Sequence, residues 1–349
     1  MPANLTTSRE PGAASGIRLA AAQVKQRREG SRVARWAAVI ACIPLYFLFL
    51  EVRVTIPDSD LTRVVEEFVS IGMSSYNLRE PLYWAPGKLL TAIFDDGWIA
   101  IFLLDIAVFA CLLFAFRSRP LPAVFIIALF LSPLFVLGIN NIHRQLVGFA
   151  VWLVVERTTL ERGPYKTFAW HLIPFLIHTS MGILSLIYYI CYALIKRDII
   201  ILSAIGASIL IVVGLFPDAV AGFFREGTET TTSLVVYSAW AFAVAFPVIA
   251  AARKTPFIIL FYLLGAAASA VLFTFSGGSS GSRFFIMFIT IVSIWVVGRV
   301  LPESDDGPIL RLGFLLAICA LLAGPTFATD FSMEILRSAV LRVPFGGTY

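Results

Sequence analysis

Apolar residues in this chain run in long unbroken blocks separated by short polar or charged stretches. The blocks do not alternate apolar with polar, so they predict helices and argue against the strands of a β-barrel. They fall at 36–50, 98–116, 121–138, 144–155, 168–195, 199–216, 234–251, 257–275, 284–300 and 309–327. A helix needs roughly 20 residues to cross the hydrocarbon of a bilayer. The pattern therefore predicts an all-α polytopic membrane protein with about ten or eleven transmembrane or half-membrane helices.

Block 168–195 is too long for one straight span, contains Pro174, and carries His178, Thr179 and Ser180 near its middle. Two readings stay open for it. A single tilted span places Lys196 and Arg197 on the far side. A pair of segments broken at His178–Ser180 returns them to the side they started from.

Composition agrees with a membrane protein. Of 349 residues, 59% are hydrophobic and 14% charged, and the mean hydropathy is +0.87. A soluble domain is nearer a quarter charged. Such a chain is not a soluble secreted enzyme, a nucleic-acid-binding module or a disordered protein. The cysteines Cys42, Cys111, Cys191 and Cys319 all lie inside apolar blocks. Their spacing fits neither a metal motif nor a disulfide framework, so they read as small apolar residues.

The distribution of charge orients the chain. Residues 1–35 carry Arg9, Arg18, Lys25, Arg27, Arg28, Arg32 and Arg35 against Glu10 and Glu29. This basic tail reads as disordered and cytoplasmic. No small-residue cleavage site follows block 36–50, so the block reads as a retained signal anchor. The region 53–97 is the longest interruption and holds more acids than bases, which places it outside as a loop. Within it, 61–73 has apolar positions at helical spacing and predicts an interfacial helix. Bases at 196–197, 253–254 and 299 favour the broken version of 168–195. The organisation is thus a basic tail 1–35, a helical membrane domain 36–327 with outer loop 53–97, and a tail 328–349.

A few polar residues stand out against this background. Arg144 sits where a span begins on the outer side, after Asn140, Asn141, Ile142 and His143. Its guanidinium suits a forked grip on phosphate oxygens, and equally an anchor at the headgroups. Gln145 beside it suits a sugar hydroxyl or a helix cap. His178 lies inside an apolar block; it suits a general base, or an interhelical hydrogen bond that fixes packing. His171 reads as structural. Ser276 to Ser282 form a small-residue loop ending in Arg283, which suits an anion or a plain connection. Glu80, followed by Pro81, Leu82, Tyr83 and Trp84, is the best acid of the outer loop for a sugar face. Asp105 sits inside an apolar run and needs a partner from another helix. No metal-ligand spacing, Asp-x-Asp pair or nucleophile elbow is present. These absences fit a reaction that needs neither metal nor nucleotide sugar.

Three segments together resemble one family. The run from Asn141 through Arg144 and Gln145 to Leu146 is similar to the Ile-Arg-Gln segment of EpsG-like, Wzy-type polysaccharide polymerases. Phe175 to Ser180, containing His178, resembles their Phe-His-x-Ser segment. Arg79-Glu80-Pro81-Leu82-Tyr83 resembles their Glu-Pro segment, and Asp58 or Asp60 stands where the family tends to have an acid. The resemblance implies a membrane glycosyltransferase with a GT-C-like helical architecture. It implies the joining of oligosaccharide repeat units carried on undecaprenyl diphosphate, at the outer face of a bacterial cytoplasmic membrane. It makes Arg144, His178 and Glu80 the expected catalytic residues, and Arg283, Gln145 and Asp60 the expected substrate-binding ones. No cofactor, metal or nucleic acid is expected. The expected partners are the lipid-linked oligosaccharide, membrane lipid and a chain-length regulator protein. Two rivals remain: a membrane acyltransferase that decorates such polysaccharides, and a lipid-linked oligosaccharide flippase or other transporter.

Overall fold

The computed structural model describes residues 40, 42–44, 46–53, 60–74, 77–117, 121–203, 205–207, 240–241, 243–245, 248–250, 255–275, 278–303, 307–328, 333–335 and 337–338. Among these residues there are helices and turns and no strand. Helix α1 (46–53) is followed by α2 (Asp60–Val69), α3 (Pro81–Phe94) and α4 (Gly97–Phe116). Then come α5 (Ala123–Phe130), α6 (Pro133–Asn140), α7 (His143–Arg162), the short α8 (Pro164–Thr167), α9 (Leu172–Ile177) and α10 (Thr179–Lys196). The chain closes with α11 (Pro256–Phe275), α12 (Gly278–Trp295) and α13 (Pro308–Ala328).

Local chemistry sets the boundaries. Pro81 and Pro133 each stand in the first turn of their helix, where a missing N–H costs nothing. Between α5 and α6 the axis bends by 45°, because Pro133 cannot continue the ladder of α5. Asp96 caps α4 by accepting hydrogen bonds from the backbone N–H groups of Trp98 (2.7 Å) and Ile99 (3.3 Å). Gly163, at φ 88°, ends α7 in a conformation that an L side chain would strain.

Five helices among the described residues are long and apolar enough to cross a membrane: Gly97–Phe116, Thr179–Lys196, Pro256–Thr274, Gly281–Val300 and Pro308–Phe327. The bent pair Ala123–Phe130 and Pro133–Asn140 makes a sixth when taken as one span. The chain is an all-α multi-pass membrane protein. Most of the predicted spans at 199–216 and 234–251 lie outside the described residues, as do the basic tail 1–35 and most of the tail 328–349. Helix α7 is less apolar because it faces neighbouring helices and not lipid: Gln145 to Ala150, Trp152 and Leu153 are all buried.

Block 168–195 takes the broken form. His178 is extended, with φ −155° and ψ 128°, and separates α9 from α10. The chain runs from Pro164 to Ile177, turns at His178, and comes back through α10. Tyr165 O–H then meets the Asp198 carboxylate, and Tyr189 O–H donates to the Pro164 carbonyl at 3.2 Å. Lys196 and Arg197 therefore rejoin the end of the bundle that holds Arg162 and Lys166.

Lipid is as apolar as leucine, so helices in a bilayer are held by close packing and polar pairing. Both are present. Trp295 meets Trp152, Tyr188, Phe257 and Phe261 at centroid distances of 6.1, 6.2, 5.6 and 4.6 Å, joining α7, α10, α11 and α12. A Cβ on Gly265 would lie 2.0 Å from the ring of Phe288, so α11 and α12 approach as closely as they do only because that side chain is absent.

Candidate active site

Two of the expected site residues, Arg144 and His178, converge on the carboxylate of a third, Glu80. Glu80 stands just before α3 but does not cap it. Its Oε2 instead accepts a hydrogen bond from Arg144 Nη1 at 2.7 Å, and its Oε1 lies 2.8 Å from His178 Nδ1, off the axis of a good hydrogen bond. The backbone N–H of Thr179 also points to Oε1, at 3.4 Å. The carboxylate therefore sits at the N-terminus of α10, where the helix dipole favours negative charge. The Arg144 guanidinium lies 5.4 Å from the centroid of the Trp84 ring.

Each member is placed by its local structure. Arg144 is in the first turn of α7, and His178 forms the break before α10. Gly148 brings the two together. A Cβ there would lie 2.9 Å from Met181 Cγ and 3.2 Å from His178 Cβ, so the glycine lets α7 close on the segment that carries the histidine.

Electrostatics keep Glu80 charged. Burial alone would raise its carboxyl, but the charge of His178 and the charge and hydrogen bond of Arg144 outweigh burial and bring it down from 4.5 to about 2. A group whose folded value is depressed contributes stability that is present in full above 4.5 and is lost as pH falls toward about 2. The difference in melting temperature between the wild type and Glu80→Gln is therefore expected to shrink as pH falls below 4.5 toward about 2. Thermal unfolding of the purified proteins in detergent checks this. A difference that does not shrink between pH 4.5 and about 2 would place the titrating group elsewhere.

A second ion pair lies nearby in the fold. Arg283 of α12 donates to Asp60 Oδ2 at 2.8 Å, and the Asp60 backbone N–H donates to Asn141 Oδ1 at 2.9 Å. This ties the start of α2 to α12 and to the turn before α7. Both side chains are about a third exposed, 34% and 33%, so the pair adds at most about 1 kcal/mol. Gln145 is buried, and its Oε1 has no hydrogen-bond partner among the described residues. Both expected phosphate-binding arginines, Arg144 and Arg283, thus rest on a carboxylate. Asp58 lies outside the described residues, as do the side chains of Ser276 to Ser280.

A third cluster was not assembled from the sequence. Asp105 is 1% exposed. Its Oδ2 accepts from Tyr46 O–H and from Arg53 Nη1, both at 2.7 Å, and its Oδ1 lies 3.1 Å from His143 Nε2. The other ring nitrogen of His143 is 2.8 Å from the Tyr83 hydroxyl. Arg53 Nε donates to the carbonyl of Ile139 at 2.8 Å. Tyr46 and Arg53 lie seven residues apart on α1 and so share a face. The signal in the sequence was Asp105 itself, an acid inside an apolar run. Asp105 is eight residues into α4, so the cluster lies about 12 Å along that helix from Gly97. This cluster is recessed into the bundle.

At the opposite end His171 is satisfied by Thr159 Oγ1 (3.1 Å) and Ser185 Oγ (3.0 Å), and Arg299 pairs with Glu156. His171 is a packing residue there. Among the described residues no three His, Cys, Asp or Glu side chains gather as a metal site requires.

Comparison with known proteins bears on this geometry. The EpsG family matches residues 36–331, which covers every helix named above. The chain belongs to the EpsG family. No curated protein and no solved structure matches it. EpsG membership supports a role as a polysaccharide polymerase of the membrane glycosyltransferase type. The matched region contains all three polar clusters.

Proposed function

We propose that this EpsG-family protein polymerises oligosaccharide repeat units carried on undecaprenyl diphosphate. The transfer takes place at the outer face of a bacterial cytoplasmic membrane, with the N-terminus in the cytoplasm. The observation that carries the reading is the meeting of Arg144, Glu80 and His178 at one recessed point, in a chain of this family.

The chemistry follows from the charges. The bond between the anomeric carbon of the growing chain and its diphosphate breaks, and negative charge collects on the departing diphosphate. Arg144 stabilises that charge in a site of low dielectric constant. Arg283 supplies a second cation as Asp60 gives way to the phosphate. A hydroxyl of the next lipid-linked unit attacks the anomeric carbon, and its proton goes to His178. Glu80 is a poor proton acceptor with its carboxyl held at about 2, so its part is to hold His178 Nδ1 and leave Nε2 toward the hydroxyl. Direct displacement inverts the anomeric centre. The diphosphate is already an activated leaving group, so neither a nucleotide sugar nor a metal is required. Gln145 Oε1 supplies an acceptor for a sugar hydroxyl.

Analysis of lipid-linked oligosaccharides in a deletion strain tests the reading. The expected result is single repeat units left on the lipid and no long chains. Loss of acetyl esters at normal chain length would identify an acyltransferase, and accumulation on the cytoplasmic side would identify a flippase.

A further inference from the structure

Tyr83, His143 and Asp105 line up as hydroxyl, imidazole and carboxylate, the order found in nucleophilic triads. This chain of side chains is sealed from any substrate. The side chain of His143 is 0% exposed and that of Asp105 2%, and Tyr83 is fully buried. Burial pushes the Tyr83 hydroxyl well above its ordinary range, so it remains a neutral donor. A different task has to account for such a costly buried network.

We infer that the Arg53–Asp105–His143–Tyr83 network is the positioning device for the Arg144–Glu80 pair, an inference that rests on the polymerase reading above. Three observations converge on it. Helix α7 is preceded at its N-cap by Ile142, which offers no side-chain cap. The first turn of α7 is fixed instead by the side chain of His143, the residue directly before Arg144. Tyr83, at the other end of the network, lies one helical turn after Glu80 on α3 and next to Trp84, the ring beneath Arg144. The same hydrogen bonds therefore locate the cation and its carboxylate. Arg53 adds a third anchor by binding the carbonyl of Ile139, four residues before His143.

His143 Nε2–H donates to the Asp105 carboxylate, Nδ1 accepts from Tyr83 O–H, and Arg53 compensates the charge of Asp105. The role of the network is geometric. Positioning residues act on the chemical step, because an error of about 1 Å costs on the order of a hundred-fold in rate.

The test uses the full-length protein in detergent with a lipid-linked repeat unit as substrate. His143→Phe removes both hydrogen bonds; His143→Gln keeps an N–H for Asp105 and a carbonyl for Tyr83. His143→Phe is expected to lower kcat by about ten- to a hundred-fold with KM little changed, and to raise amide hydrogen exchange across residues 139–147. His143→Gln is expected to restore most of both. Should His143→Phe fail to fold, Tyr83→Phe, which deletes a single hydrogen bond, is expected to show the same two changes in weaker form. A folded His143→Phe protein with wild-type turnover and exchange would overturn the inference, as would a glutamine variant no better than phenylalanine. If the wild type itself does not extend the lipid-linked unit, the polymerase reading fails, while exchange at 139–147 still decides the positioning role.

Discussion

Arg144→Ala is expected to abolish chain extension, leaving single repeat units on the lipid with the protein still present in the membrane. Two losses combine. Removing a cation aimed at developing negative charge in a recessed site costs on the order of a hundred- to a thousand-fold in rate. The buried Glu80 carboxylate, 5% exposed, also loses the guanidinium at 2.7 Å and then pulls His178 and the N-terminus of α10 toward itself alone. Arg144→Lys is expected to fail nearly as badly. An ammonium is a single point of charge; it cannot fork onto two oxygens, and it lacks the flat face that lies over Trp84. The polysaccharide ladder on a gel, at matched protein levels, reads both variants. A normal ladder from Arg144→Ala would remove this arginine from the chemistry. A normal ladder from Arg144→Lys alone would reduce its part to a positive charge without a fork.

The pairing with Glu80 shows where sequence reading succeeds and stops. Arg144 and His178 stand out because an ionisable group near or inside an apolar block is costly, and Glu80 because aromatic residues follow it in the outer loop. What assembles them is long-range. Glu80 is 64 positions from Arg144, and no periodicity reports a contact across that distance. The break at His178 is legible, since Pro174 and the run His178-Thr179-Ser180 interrupt an apolar block, and bases at either end favour a return. Helix α3 is not legible, because Pro81, Pro86 and Gly87 read as loop residues. In the fold Pro81 opens the helix, and Gly87 accepts the ring of Phe68, which would lie 2.1 Å from a Cβ. Arg53 is the least legible of all. An arginine just after an apolar block has the same signature whether it reaches up to headgroups or back into the bundle. Only the positions of Asp105 and Tyr46 distinguish the two.

That buried arginine sets the largest expected effect on stability. Asp105→Leu leaves Arg53, 3% exposed, without its counter-charge. Breaking a buried ion pair from one side costs about 3–5 kcal/mol, and the Tyr46 hydroxyl and His143 Nε2 lose the same acceptor. Little or no folded protein is expected, by thermal unfolding in detergent followed through tryptophan fluorescence. Adding Arg53→Met removes the stranded charge, so the double variant is expected to regain most of the lost stability, since replacing both partners by apolar groups is often neutral. Activity is expected to stay low in that rescued protein. His143 still lacks the carboxylate that orients its ring, and Arg144 follows His143 on the same turn of α7. Stability and turnover thus part company between the single and the double variant. A double variant as unstable as Asp105→Leu would show that Asp105 acts through His143 and Tyr46 more than through Arg53; one that recovers both stability and chain extension would make the whole cluster a packing element.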